Sequence, residues 1–126
     1  MIRTELVVRL PNSPGTISRI CRTLSDERVN ILALQIEAGG TLRLVVDNHV
    51  HAAGVLRDRH QQVEEREVLY TVIPNDPGTL GRVARLIADA GINIEYLYAS
   101  AVEGSPQAAI VIGVDDARRA SAAAGI

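Results

Sequence analysis

Two short turns carry the residues that could do chemistry. Pro11-Asn12-Ser13-Pro14-Gly15-Thr16 recurs as Pro74-Asn75-Asp76-Pro77-Gly78-Thr79. Each joins an alternating apolar stretch to a run with helical spacing, so each reads as a helix start. Ser13 and Asp76 are favoured N-caps, and proline is favoured at the next position. Gly15 and Gly78 lack a Cβ, which lets a ligand or a second backbone come close. The unpaired N–H groups of a helix start attract anions. A carboxylate is therefore expected at the amides near Gly15 and Gly78. Side-chain oxygens of Asn12, Asn75 or Asp76 are expected to take an ammonium. A free amino acid offers these two groups side by side. The competing reading is a capped turn with no ligand, because such caps are widespread.

The turns belong to an internal repeat. Residues 11–38 and 74–101 align without gaps at an offset of 63 and are identical at 12 of 28 positions. Chance alone gives roughly two identities, so the repeat is a duplication.

The elements that must position the turns follow from the spacing. Leu6, Val8 and Leu10 alternate as in a half-buried strand. Ile17, Ile20, Cys21 and Leu24 make a helical stripe. Val29–Glu37 and Thr41–Asp47 read as strands about an Ala38-Gly39-Gly40 turn. A helix is expected from Asn48 to about Arg59, then an extended stretch from Val63 to about Ile73. The second copy repeats the helix through Leu80, Val83, Ala84 and Ile87. Ile92–Ala101 and Ala108–Val114 follow as strands, joined through Glu103-Gly104-Ser105-Pro106, and Asp116–Ala124 as a short helix. The order β-α-β-β-α-β is that of a ferredoxin-like unit. The predicted fold class is α+β, with two such modules packed together, residues 1–67 and 68–126. Each is an antiparallel sheet with helices on one face. The last strand of the second module is missing, which leaves an edge open to another chain or marks a truncation.

Composition excludes several classes. Hydrophobic residues make 47% of the 126 and charged residues 22%, which suits a globular domain and not a disordered one. No apolar run approaches a membrane span. The N-terminus has no apolar core of a signal peptide, and the single Cys21 suits a reducing compartment, so a cytoplasmic protein is expected. All 13 basic residues are arginine, so no lysine is present for Schiff-base or Walker A chemistry. The net charge of −2 and three tyrosines as the only aromatics argue against nucleic acid.

With both turns in register, the chain resembles the ACT domain family, small regulatory modules that bind amino acids. The likeness rests on Asn75-Asp76-Pro77-Gly78-Thr79-Leu80 with Gly91-Ile92-Asn93-Ile94. It rests also on the variant Asn12-Ser13-Pro14-Gly15-Thr16-Ile17 with Val29-Asn30-Ile31. Ile94-Glu95-Tyr96-Leu97-Tyr98 is similar to a segment common in small tandem ACT proteins that carry no catalytic domain. The resemblance implies paired modules with edge strands joined and ligands at the seam. It implies ligand-binding roles for Asn12, Ser13, Gly15 and Thr16, and for Asn75, Asp76, Gly78 and Thr79. Asn30 and Asn93 are secondary candidates, since Asn often satisfies a turn before a strand. Ser13 stands where an acidic residue is usual, so the first site is expected to bind weakly or not at all.

The remaining residues add little. His49 and His51 do not share a helix face, and no carboxylate–histidine cluster surrounds them, so no metal is expected. Cys21 sits on the apolar stripe and reads as packing. Tyr96 and Tyr98 share a strand face and read as packing. Arg22/Asp26 and Arg85/Asp89 read as surface pairs. No nucleophile is paired with a base, so no enzyme is expected, and no cofactor. An RNA-binding module of this strand order needs stacking aromatics on its third strand, and Leu42-Arg43-Leu44-Val45-Val46 and Ala109-Ile110-Val111-Ile112 supply none. The expected function is a regulatory protein that senses an amino acid and acts in trans on an unidentified protein partner, assembled as a homodimer. The alternative is an interaction module of the same fold without a ligand.

Overall fold

The computed structural model describes residues 1–11 and 13–126, so the expectation placed on Asn12 lies outside the described residues. The chain runs β1 (Ile2–Arg9), α1 (Thr16–Asp26), β2 (Ile31–Ile36), β3 (Thr41–Val46), α2 (His49–Asp58) and β4 (Val63–Pro74). It continues α3 (Thr79–Asp89), β5 (Ile94–Ala101), β6 (Gln107–Val114) and α4 (Ala117–Ala124). Thr4–Arg66 forms one compact unit, and Glu67–Ile126 with Met1–Arg3 forms another.

In the first unit the antiparallel strands lie in the order β2-β3-β1, with the start of β4 next to β1. The alternation of β1 sets the core. Leu6 pairs with Leu44 and Val8 with Leu42, and these side chains pack on Ile20 and Leu24 of α1 and on Ala52 and Leu56 of α2. Burying each leucine contributes about 2 kcal/mol. The alternation does not anticipate Glu5, which is fully buried. Its Oε1 lies 3.3 Å from Nη1 of Arg43, whose Nε donates to Glu37 Oε1 at 3.1 Å. Removing Arg43 would take a cation from beside a buried carboxylate, the costly way to break such a pair.

The second unit has the order β5-β6-β4, with residues of β1 beside β4. Leu69, Ile73, Ile110 and Ile112 pack on Val83 and Ile87 of α3 and on Ala117 and Ala120 of α4. Among the described residues no strand follows α4. The position beside β4 that a ferredoxin-like unit gives to its last strand is held by Met1–Arg3 instead. The Tyr70 N–H donates to the Met1 carbonyl at 2.8 Å, and the Arg3 guanidinium lies 5.6 Å from the centre of the Tyr70 ring. The edge expected to be open is thus flanked by the chain's own start. Tyr96 and Tyr98 stack with ring centres 6.5 Å apart. Gly113, opposite Tyr96 in the register, makes room for its ring, since a Cβ there would lie 2.2 Å from it.

Helix starts follow two different rules. Asn48 and Asp116 cap α2 and α4 through their side chains, accepting from the His51 and Arg119 N–H groups at 3.1 and 3.0 Å. Ser13 and Asp76 do not cap α1 and α3. Those helices begin one residue after Gly15 and Gly78, which take left-handed φ values of 85° and 88°, with no side-chain cap bond. Glycine adopts that conformation without a Cβ penalty, so the chain turns there and not at the proline.

Candidate functional site

In the first unit, β3 runs antiparallel to β1, with Arg9 opposite Thr41. The tip of the β2–β3 hairpin therefore sits beside the turn that leaves β1. The Leu10 N–H donates to the Gly40 carbonyl at 2.7 Å. Gly40 has φ 89°, and a Cβ on it would lie 2.5 Å from the Leu10 carbonyl oxygen. Only glycine permits this approach. Between hairpin and turn lies a cavity of about 250 Å³. Ser13, Gly15 and Thr16 line one side, with Ile17 and Ser18 of α1; Ile36, Glu37 and Ala38 line the other.

Thr16 organises the turn. It is buried, and its hydroxyl donates to the Ser13 carbonyl at 3.0 Å. Its Oγ1 also lies 3.0 Å from Ser13 Oγ, a contact in which either hydroxyl can donate. Arg19 Nη2 also donates to Thr16 Oγ1, at 3.4 Å.

The second turn is built differently. The Asn75 backbone N–H donates to the Pro106 carbonyl at 3.0 Å. Its side-chain Nδ2 donates to the carbonyls of Ser105 at 2.9 Å and Val102 at 3.3 Å. Asn75 therefore ties the turn to the β5–β6 loop, and only its carbonyl oxygen is left for an ammonium. Asp76 and Gly78 are exposed and Thr79 is buried; the Thr79 N–H donates to the Asp76 carbonyl at 3.3 Å.

Asn30 and Asn93 are not brought to the turn of their own unit. Each precedes a strand whose far end meets that turn, roughly 20 Å away for a six-residue strand. Asn30 instead exchanges bonds with Asp47: its N–H donates to Asp47 Oδ1 at 3.0 Å, and its carbonyl accepts from the Asp47 N–H at 3.1 Å. The cavity residues that the sequence reading missed are Leu10, Pro11, Ile17 and Ser18, and on the hairpin Ile36, Glu37, Ala38 and Gly40. The signal for them was present, because a β-α-β-β unit with β3 antiparallel to β1 must bring the hairpin to that turn.

Other expectations are also placed. Cys21 is half-buried. No ion pair joins Arg22 to Asp26 or Arg85 to Asp89 among the described residues. His51 Nε2 lies 3.5 Å from Glu27 Oε1, and no cluster of three or more His, Cys, Asp or Glu residues forms among the described residues. No described helix is long and apolar enough to cross a membrane.

The same division into two units appears in the family matches. Residues 4–64 match the ACT domain, and residues 69–124 match the AHAS small subunit-like ACT domain. The chain carries two ACT domains in tandem. A search of curated proteins finds no match. Among solved structures, a protein from Bacteroides thetaiotaomicron is 28% identical, with a TM-score of 0.89 over 98% of this chain and 86% of that one. The regulatory subunit of aspartate kinase from Thermus thermophilus, in its ligand-free form, is 15% identical. Its TM-score is 0.69 over 99% of this chain and 92% of that one. E. coli aspartokinase III, in complex with aspartate and ADP, is 13% identical, with a TM-score of 0.66 over 98% of this chain and 31% of that one. At these last two identities the likeness is one of fold. In this chain both ACT domains start their first helix the same way, on a left-handed glycine.

Proposed function

We propose that this tandem ACT protein is a non-catalytic regulatory module that binds a free amino acid and acts on a protein partner in trans. The two ACT domains support an amino-acid-sensing role. The observation that carries the reading is the cavity beside the first turn. It is small enough for one amino acid, and its walls divide by chemistry. The backbone around Gly15 offers the helix start to a carboxylate. Ser13 and Glu37 offer oxygens to an ammonium. Leu10, Ile17 and Ile36 offer an apolar wall to a side chain. In the second domain the Gly78 backbone takes the carboxylate, while Asp76 and the Asn75 carbonyl oxygen take the ammonium.

A homodimer belongs to the same proposal. β2 is the outer strand of its unit, and Leu34 and Ile36 on it are 38% and 48% exposed. An outer strand with unpaired backbone groups and apolar side chains favours pairing with a second chain.

Thermal unfolding followed by circular dichroism, against each of the twenty amino acids, tests the reading. A ligand at about 100 times its dissociation constant adds roughly 2.7 kcal/mol, which is several degrees for a chain of this size. The expected result is a shift with one amino acid or a few related ones, lost in Gly15→Val or Gly78→Val protein that still folds. No shift with any amino acid would leave the ligand-free interaction module as the function.

A further inference from the structure

We propose a second site, for a phosphate dianion, in the cleft between α1 and the end of α2 in the first domain. This does not rest on the amino-acid reading. The cleft has a volume of about 250 Å³. Arg19 and Thr23 reach it from α1, and Arg59 and Gln61 from the end of α2; Ile20 and Leu56 form its floor. Its charged lining residues are both cationic.

Other arginines already have partners. Arg43 is paired with Glu5 and Glu37, Arg57 with Glu65, and Arg118 with Glu67. Arg119 donates to the Ala90 carbonyl. Among the described residues neither Arg19 nor Arg59 meets a carboxylate, though Arg19 Nη2 donates to Thr16 Oγ1 at 3.4 Å, and the two converge on one cleft, whose rim of Pro11 and Thr16 is shared with the first cavity. The C-terminal carbonyls of α2 would repel an anion, but they are already engaged. Leu56 accepts from the Arg59 and Gln61 N–H groups at 3.1 and 3.0 Å, and Arg57 accepts from the His60 N–H at 3.0 Å. Two guanidinium forks with a hydroxyl and an amide match the acceptor geometry of phosphate. The apolar floor leaves room for a carbon group, so the expected source is a small phosphate monoester and not the free ion. The second domain does not repeat the arrangement. Arg82 and Leu86 stand where Arg19 and Thr23 do, and α4 ends in Ala122-Ala123-Ala124.

The test is an NMR titration of the full chain, with inorganic phosphate and with glycerol phosphate in parallel, at constant ionic strength set by sodium chloride. The Arg Nε–Hε signals are the readout. The site predicts saturable shifts at Arg19 and Arg59 with one common dissociation constant, and no shift at Arg82. Glycerol phosphate is expected to bind more tightly than phosphate. Arg19→Gln and Arg59→Gln should each weaken binding about tenfold, the weight of one charge-assisted pair, while Arg82→Gln should leave it unchanged. Both arginines are exposed, and a circular dichroism melt confirms that the variants fold. Unsaturated shifts spread over all arginines, or equal affinity in the Arg19 and Arg59 variants, would overturn the site. Equal binding of the two probes would overturn the monoester assignment.

Discussion

The two ACT turns share Pro-Asn-x-Pro-Gly-Thr, and each is fixed to its hairpin. In the first domain, among the described residues, backbone and turn hydroxyl do the work. Gly40 brings its carbonyl to the Leu10 N–H at 2.7 Å, and the Thr16 hydroxyl closes the turn on Ser13. In the second the backbone bond from the Asn75 N–H to the Pro106 carbonyl, at 3.0 Å, is joined by a side chain. Asn75 spends both amide protons on the Val102 and Ser105 carbonyls. The loop it grips, Val102 to Pro106, is one residue longer than Glu37 to Gly40. A longer loop holds fewer of its own carbonyls in a hairpin turn, so a neighbouring donor satisfies them. In the second copy the motif's asparagine thus serves as a brace.

The comparison breaks most sharply at Gly40. Gly40→Ala puts a Cβ 2.5 Å from the Leu10 carbonyl oxygen, on a residue with φ 89°. Neither can relax without moving β1 or the hairpin. Urea unfolding should show a loss of about 3 kcal/mol. Gly39→Ala, which meets nothing within 4 Å, should cost well under half as much. Equal losses would mean that the approach of hairpin to turn is not what requires glycine.

Next in size is Asn75→Ala, which removes two side-chain bonds and leaves the Ser105 carbonyl to water, while Val102 keeps its bond from the Ser105 N–H. The expected cost is about 1–2 kcal/mol. Amide exchange should quicken in 102–106 and stay unchanged in 37–40. A uniform change across both domains would dissolve the distinction between a braced loop and a self-supporting one.

Much of this was legible in the sequence. The offset of 63, the alternation of Leu6, Val8 and Leu10 and the stripes of α1 and α3 report local periodicity, and they located the elements within a few residues. Asn48 and Asp116 were readable as caps because an Asx cap is a local device. Three things were not legible, for physical reasons. The helix start at Gly15 instead of Ser13 depends on φ, and the residue types permitted either. Burial of Glu5 depends on Arg43, 38 positions away. The second module was read as lacking its last strand, with an open edge, whereas Met1–Arg3 lies beside β4, and pairing between distant segments leaves no mark in local pattern. At the site, the turns were read from their own residues, while the opposite wall, Ile36 to Gly40, required the register of β3 on β1.

The finest test of the comparison lies at the paired threonines. Both are buried, Thr16 at 5% and Thr79 at 6% exposure, and both open their helix. Among the described residues only the Thr16 hydroxyl is engaged, donating to Ser13 and accepting from Arg19. Replacing threonine by valine keeps the shape and deletes the hydroxyl. Thr16→Val should cost about 1 kcal/mol, the net value of an ordinary hydrogen bond. It should also free the Ser13 hydroxyl to turn into the cavity and so alter the amino-acid response. Thr79→Val loses no such bond and should fall within about 0.5 kcal/mol of the parent. Thermal melts of the two variants, each with and without the amino acid that stabilises the parent, separate the effects. If Thr79→Val costs as much as Thr16→Val, the threonine is needed by the helix start in both domains, and the difference between the turns rests on Asn75 and Gly40 alone.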